Sequence, residues 1–128
     1  MMMKFTCNTG ELNQGINSAL LAVSPKSTLL ALEGILVRVT TKEITLMSYN
    51  LEMGITAIVD AKVEKTGEII IPAKVFSDII RRIESDEVTI EADDRCLVQI
   101  TGGVSQFTIL GMTSEEFPEL PEVGEAQG

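Results

Sequence analysis

One order of elements runs twice along this chain: a strand, a helix and three further strands, starting again after about 60 residues. In the first copy Met3, Phe5 and Cys7 alternate with Lys4, Thr6 and Asn8, the period of a half-buried strand. Thr9-Gly10 breaks that period, and Thr9 is placed to cap a helix beginning near Glu11. Leu12, Ile16, Ala19, Leu20 and Val23 recur at helical spacing until Ser24-Pro25, where proline disfavours helical backbone in the residue before it. Three strands follow: Gly34 to Thr40, Glu43 to Tyr49 and Met53 to Asp60, the first two joined by a Thr41-Lys42 turn.

The second copy opens with a short apolar strand, Glu68 to Ile71, and a helix entered through Pro72-Ala73. Proline suits a first helical turn because its missing N–H would have no intrahelical partner there. Phe76, Ile79, Ile80 and Ile83 form the buried stripe, Ser85-Asp86 ends the helix, and strands follow at Glu87 to Ala92, Arg95 to Thr101 and Val104 to Leu110. Asp93-Asp94 and Gly102-Gly103 supply the turns. This duplication predicts an α+β fold with pseudo-twofold symmetry, two helices lying on one side of antiparallel sheets. Both helices would bury an apolar stripe on the sheets and turn a polar face to the same side.

The core must be aliphatic, because 45% of residues are hydrophobic but only 4% aromatic, with no Trp. No apolar run is long enough to span a membrane. Lys4 leads into Phe5-Thr6-Cys7 without the apolar stretch of a signal peptide, so a cytoplasmic protein is expected. Cys7 and Cys96 belong to no paired motif and each sits in an alternating apolar stretch, so both read as buried thiols rather than a disulfide.

Catalysis finds little support. The absence of histidine removes His-based triads, His general bases and His metal ligands. No phosphate-binding loop occurs, since Gly102-Gly103 lies in a hairpin and not before a helix. The acid pairs Asp93-Asp94 and Glu115-Glu116 read as a solvated turn and tail. No catalytic residue, metal ligand or cofactor is therefore expected, and the chain is not read as an enzyme.

The net charge of −9 argues against nucleic acid, but its distribution weakens the objection. Five acids (Glu115, Glu116, Glu119, Glu122 and Glu125) sit in the tail with no base among them. Without them 14 acids face 10 bases, a net of −4. A body that mildly acidic can still carry a basic face.

Three features remain. Lys26 follows the first helix, while Lys74, Arg81 and Arg82 lie on the second, and Lys74 and Arg81 are about two helical turns apart on one face. Such a face either meets phosphates without reading bases or simply solvates the helix. On the last strand Phe107 and Ile109 point to one side and Leu110 to the other, so it is either a buried central strand or an edge that pairs with another chain. The tail Glu115-Glu116-Phe117-Pro118-Glu119-Leu120-Pro121 has the alternating prolines of an extended linker, which points to a piece of something longer.

With these residues in view, the chain resembles the N-terminal domain of the bacterial sliding clamp, the beta subunit of the replicative DNA polymerase. The resemblance is carried by MKFTC at Met3 to Cys7, ALEGILVRV at Ala31 to Val39, NLEMGI at Asn50 to Ile55, IPAKVFSDIIRRI at Ile71 to Ile83 and EEFPELP at Glu115 to Pro121. It covers nearly all of residues 3 to 123, in order and at the right spacing. It implies a DNA-clamp fold over residues 1–121, with 122–128 as the start of an inter-domain linker. It further implies a chain about three times longer, with three such domains per subunit and two subunits closed head-to-tail into a ring. Helices line the inside of that ring and sheets the outside.

Carried over by position, the resemblance turns Lys26, Lys74, Arg81 and Arg82 toward duplex DNA, held without sequence preference. It puts Phe107 and Ile109 on an edge strand at the subunit interface, with Val75 nearby. Replicative polymerase and clamp loader would bind through the later domains, and a first domain alone would be a monomer, its partner surface lying on the third. Two departures stand out. Tyr49-Asn50 replaces the Thr-Asp common before Leu-Glu, and Val75 stands where many members carry a second base after the position of Lys74. The competing reading is a protein-interaction module that pairs through an exposed edge strand with no need of DNA.

Overall fold

The computed structural model describes residues 3–23, 33–50 and 52–117. Nine strands and two α-helices follow one another as β1 (Met3–Asn8), α1 (Thr9–Leu20), β2 (Gly34–Val39), β3 (Glu43–Tyr49), β4 (Gly54–Asp60), β5 (Lys62–Lys65), β6 (Gly67–Pro72), α2 (Ala73–Arg82), β7 (Glu87–Ala92), β8 (Leu97–Gly102) and β9 (Ser105–Leu110). A short 3-10 turn, Ser114–Glu116, follows β9. The duplicated strand-helix-three-strand order is present, with β5 added between the copies.

All strand pairs are antiparallel, and the two copies exchange their first strands. One sheet runs β5-β1-β7-β8-β9 and the other β4-β3-β2-β6. Thus β1 leaves its own copy to pair with β7, Phe5 opposite Ile90, while β6 pairs with β2, Ile71 opposite Ile35. Each sheet is a three-strand meander from one copy closed by the opening strand of the other, so neither copy can complete a sheet alone. The sheets are also stitched together beyond β9, where Ile70 and Met112 exchange two backbone hydrogen bonds of 2.9 and 2.8 Å.

A single aliphatic core fills the space between the inner sheet faces and both helices. Phe5, Ile90 and Ile100 come from one sheet, Ile35, Leu46 and Ile69 from the other, with Leu12 and Ile16 of α1 and Phe76 and Ile80 of α2 between them. The two helices also touch each other. Ser48, fully buried on β3, donates its hydroxyl to the Ala19 carbonyl at 2.6 Å, which ties the end of α1 to its sheet. A second, small cluster lies on the outer face of the β2-containing sheet, where Met112 and Phe117 cover Leu36, Met47 and Ile70.

Several boundaries depart from the periodicity. The cap of α1 is Asn8, whose side chain accepts the Glu11 N–H at 2.8 Å, and Thr9 is the buried first helical residue. The helix closes at Leu20 and gives way to a turn, short of Ser24-Pro25, which lies outside the described residues. The strand expected from Arg95 starts at Leu97. Asp93 accepts the backbone N–H groups of Arg95 and Leu97 and curls the chain, putting Cys96 at φ 67° in a turn. Cys96 is accordingly half-buried and not a core thiol, whereas Cys7 is buried, and both are free. Among the described residues no helix is long and apolar enough to cross a membrane.

Candidate nucleic-acid interface

The outward face of α2 carries the basic residues. Its inward stripe is fixed by Phe76, Ile79 and Ile80, all in the core, and this leaves Lys74, Val75, Asp78, Arg81 and Arg82 exposed. At 3.6 residues per turn, Lys74 and Arg81 lie within about 20° of each other, and Arg82 is rotated about 80° from Lys74. Arg81 and Arg82 occupy the last turn, where the helix dipole favours positive charge. The structure therefore brings three of the four expected DNA-facing bases onto one helical face. Lys26 lies outside the described residues.

Asp78 belongs to this face too, and the sequence reading had passed over it. Its carboxylate accepts a hydrogen bond from Arg81 Nη2 at 2.6 Å, an exposed i,i+3 ion pair. The only signal for it in the sequence is spacing, four residues after Lys74 and three before Arg81. The exposed surface of α1 adds no base: Glu11, Gln14, Asn17 and Ser18 are its polar residues. The other described bases lie on strands and turns, and among them Lys4 and Arg38 form ion pairs. Lys4 pairs with Glu64 and Glu91 at 3.5 and 3.6 Å, and Arg38 pairs with Glu68.

The expected edge strand is an edge. Among the described residues β9 pairs only with β8, with Phe107 opposite Ile100 and Leu110 opposite Leu97. Phe107 and Ile109 are half-buried against the main core, so their outer flanks alone are free, whereas Leu110 is 65% exposed on the opposite face. Val75, 44% exposed, lines a shallow apolar groove with Leu110, Pro72, Ile70 and Met112. The start of α2 and the end of β9 thus form one surface that joins Val75 to the edge strand. Leu110, which the strand pattern turns away from Phe107 and Ile109, belongs to it.

Burial pushes the Cys7 thiol up to about 12, with Glu11 and Glu87 adding to the effect, so it is not a nucleophilic thiolate at neutral pH. Among the described residues no group of three or more acidic or cysteine side chains is placed to hold a metal ion.

Residues 3–121 match the family model described as DNA polymerase III beta subunit, N-terminal domain. The beta sliding clamp of Synechococcus elongatus is 33% identical over 124 residues, covering 94% of this chain and 33% of that protein. The beta sliding clamp of Staphylococcus epidermidis is 30% identical over 130 residues, covering 95% of this chain and 34% of its own length. The crystal structure of the DNA polymerase sliding clamp from Bacillus subtilis superposes with a TM-score of 0.93 at 26% identity, covering 98% of this chain and 35% of the other. The chain spans about a third of the length of the relatives it matches.

Proposed function

Because the chain belongs to the DNA polymerase III beta subunit N-terminal domain family, we propose that it works as the first domain of a sliding clamp. In this reading residues 1–121 form the domain and 122–128 begin the linker to the next. Two full-length subunits close head-to-tail around duplex DNA in the cytoplasm and give processivity to the replicative polymerase. The chain itself catalyses nothing and takes no cofactor. Polymerase and loader contact domains beyond this one.

The observation that carries the reading is where the positive charge lies. Lys74, Arg81 and Arg82 crowd one outward helix face of an otherwise acidic chain. Charge of that kind attracts phosphates without reading sequence. With Lys26 it amounts to at most four phosphate contacts, so affinity falls with about the 3.6 power of salt concentration and is weak at physiological salt. Retention on DNA must then come from encirclement. At the subunit interface, Phe107 and Ile109 offer the free edge of β9, and Val75 an apolar contact where many members of the family carry charge.

The test is topological. Full-length protein is assembled by its loader on nicked circular DNA, and bound protein is counted before and after the circle is cut. Release on cutting supports a ring held by topology. Retention on linear DNA refutes it and means ordinary affinity binding, by a DNA-binding or interaction module; exposed Leu110 and Val75 beside the edge of β9 speak for an interaction module, which would form a stable dimer with no dependence on DNA.

A further inference from the structure

The groove between α2 and the end of α1 holds Lys74 and Arg81 together with two acids, Asp78 and Glu33. Its charges balance, so the helix face is less positive than its count of bases suggests. Among the described residues, neither Lys74 nor Arg82 has an ion-pair partner, whereas Arg81 is held by Asp78 at 2.6 Å. Both members of that pair are at least half exposed. An exposed i,i+3 pair is weak and readily exchanged, and a carboxylate offers a guanidinium much the same planar oxygen geometry as a phosphate.

Resting on the DNA-facing reading of α2, we propose that Asp78 is a positioning residue, an internal stand-in for phosphate that Arg81 returns to whenever it releases DNA. Arg81 then never has to leave a phosphate for bare solvent. It passes from phosphate to carboxylate and back, and of the three bases on α2 Lys74 and Arg82 are the ones constantly available. The consequence is a shallower grip on DNA, which suits a surface that has to move along the duplex without lingering.

The test is the salt dependence of binding. The chain and its variants are titrated with short duplex DNA from about 20 to about 200 mM salt, and the slope of log affinity against log salt is read. Asp78→Asn is expected to steepen the slope by about one, so that its advantage over the parent shrinks about eightfold across that tenfold rise in salt. The same substitution in an Arg81→Gln background is expected to leave the slope unchanged. An unaltered slope in the single variant overturns the proposal. An equal steepening with Arg81 removed also overturns it, because Asp78 would then be acting as a plain repelling charge. Lys74→Gln and Arg82→Gln separate this from failure of the underlying reading. If they flatten the slope while Asp78→Asn does nothing, α2 faces DNA and only the stand-in role falls. If they too do nothing, or the parent shows no binding at the lowest salt, α2 does not meet DNA.

Discussion

Gly111→Ala tests the stitch between the two sheets. A Cβ built at Gly111 would lie 2.7 Å from the Ile70 carbonyl oxygen and 3.0 and 3.1 Å from side-chain carbons of Ile69. The first neighbour is backbone, and it is the oxygen that accepts the Met112 N–H at 2.8 Å. A flexible side chain could swing away from the new methyl group, but a hydrogen-bonded carbonyl cannot do so without opening the bridge. Overpacking of this kind costs about 1–3 kcal/mol. Loss of the Met112 N–H bond to that carbonyl adds about 1 kcal/mol. The expected destabilisation is about 2–4 kcal/mol, a large share of the roughly 5–15 kcal/mol that holds a domain folded.

Urea denaturation of the chain and its variant measures this directly. With a denaturant slope of about 2 kcal/mol per molar, the midpoint falls by about 1–2 M. Hydrogen exchange should quicken at the Ile70 and Met112 amides first, because they are the two donors of the bridge. A loss below about 0.5 kcal/mol, the range of ordinary surface substitutions, with both amides still protected, would refute the claim that close backbone approach dictates glycine at this position.

Two further outcomes follow from the same geometry. Cys96 sits at φ 67°, a conformation that β-branched residues tolerate worst, so Cys96→Val should destabilise by about 1–2 kcal/mol, whereas Cys96→Gly should stay within about 1 kcal/mol of the parent. A thermal melt in which the glycine variant is the less stable of the two would contradict this. Burial pushes the Glu68 carboxyl up, but hydrogen bonds from Arg38 and Ser114 and the Arg38 charge outweigh it and hold the group below the ordinary value of 4.5. The stability it contributes is therefore complete above about 4.5 and is lost as pH falls through the lowered value of the folded state. Arg38→Gln should flatten that part of the acid limb in urea midpoints taken against pH, and a Glu68 midpoint at or above 4.5 in the parent by NMR would count against it.

What could be read from the residues was whatever one face of an element decides by itself. β1 alternates buried and half-buried positions because one face meets the core, and Met3, Phe5 and Cys7 announced it. α2 declared its inward stripe in the same way, and hence its outward bases. β5 stayed hidden because Lys62-Val63-Glu64-Lys65 has a single apolar residue, Val63, which packs against the core but is too little to show a period. The exchange of first strands was equally silent, since β1 and β6 look the same whichever meander they join. At β2, Ile35, Leu36 and Val37 are all buried, because the segment through Met112 and Phe117 covers the outer face. No local period records a cover supplied from so far along the chain. Asp78 was missed for the same kind of reason: its meaning depends on which side of the helix the core leaves exposed.

These observations bear on how an acidic chain can approach DNA at all. Long-range attraction depends on total charge, and here that is −9, so at distances beyond about 10 Å the chain repels a duplex at physiological salt or is screened from it. Short-range attraction depends on the face presented, and α2 presents three bases to one acid. Such a surface captures DNA from solution only weakly, and only at low salt. In the proposed ring it becomes useful once the duplex is held beside it, and the edge of β9, with Val75 and Leu110 alongside, would be the surface that closes the enclosure. If the chain serves as the clamp domain proposed above, the acidic balance and the basic helix belong together: weak hold at contact, little attraction at range, and retention by encirclement.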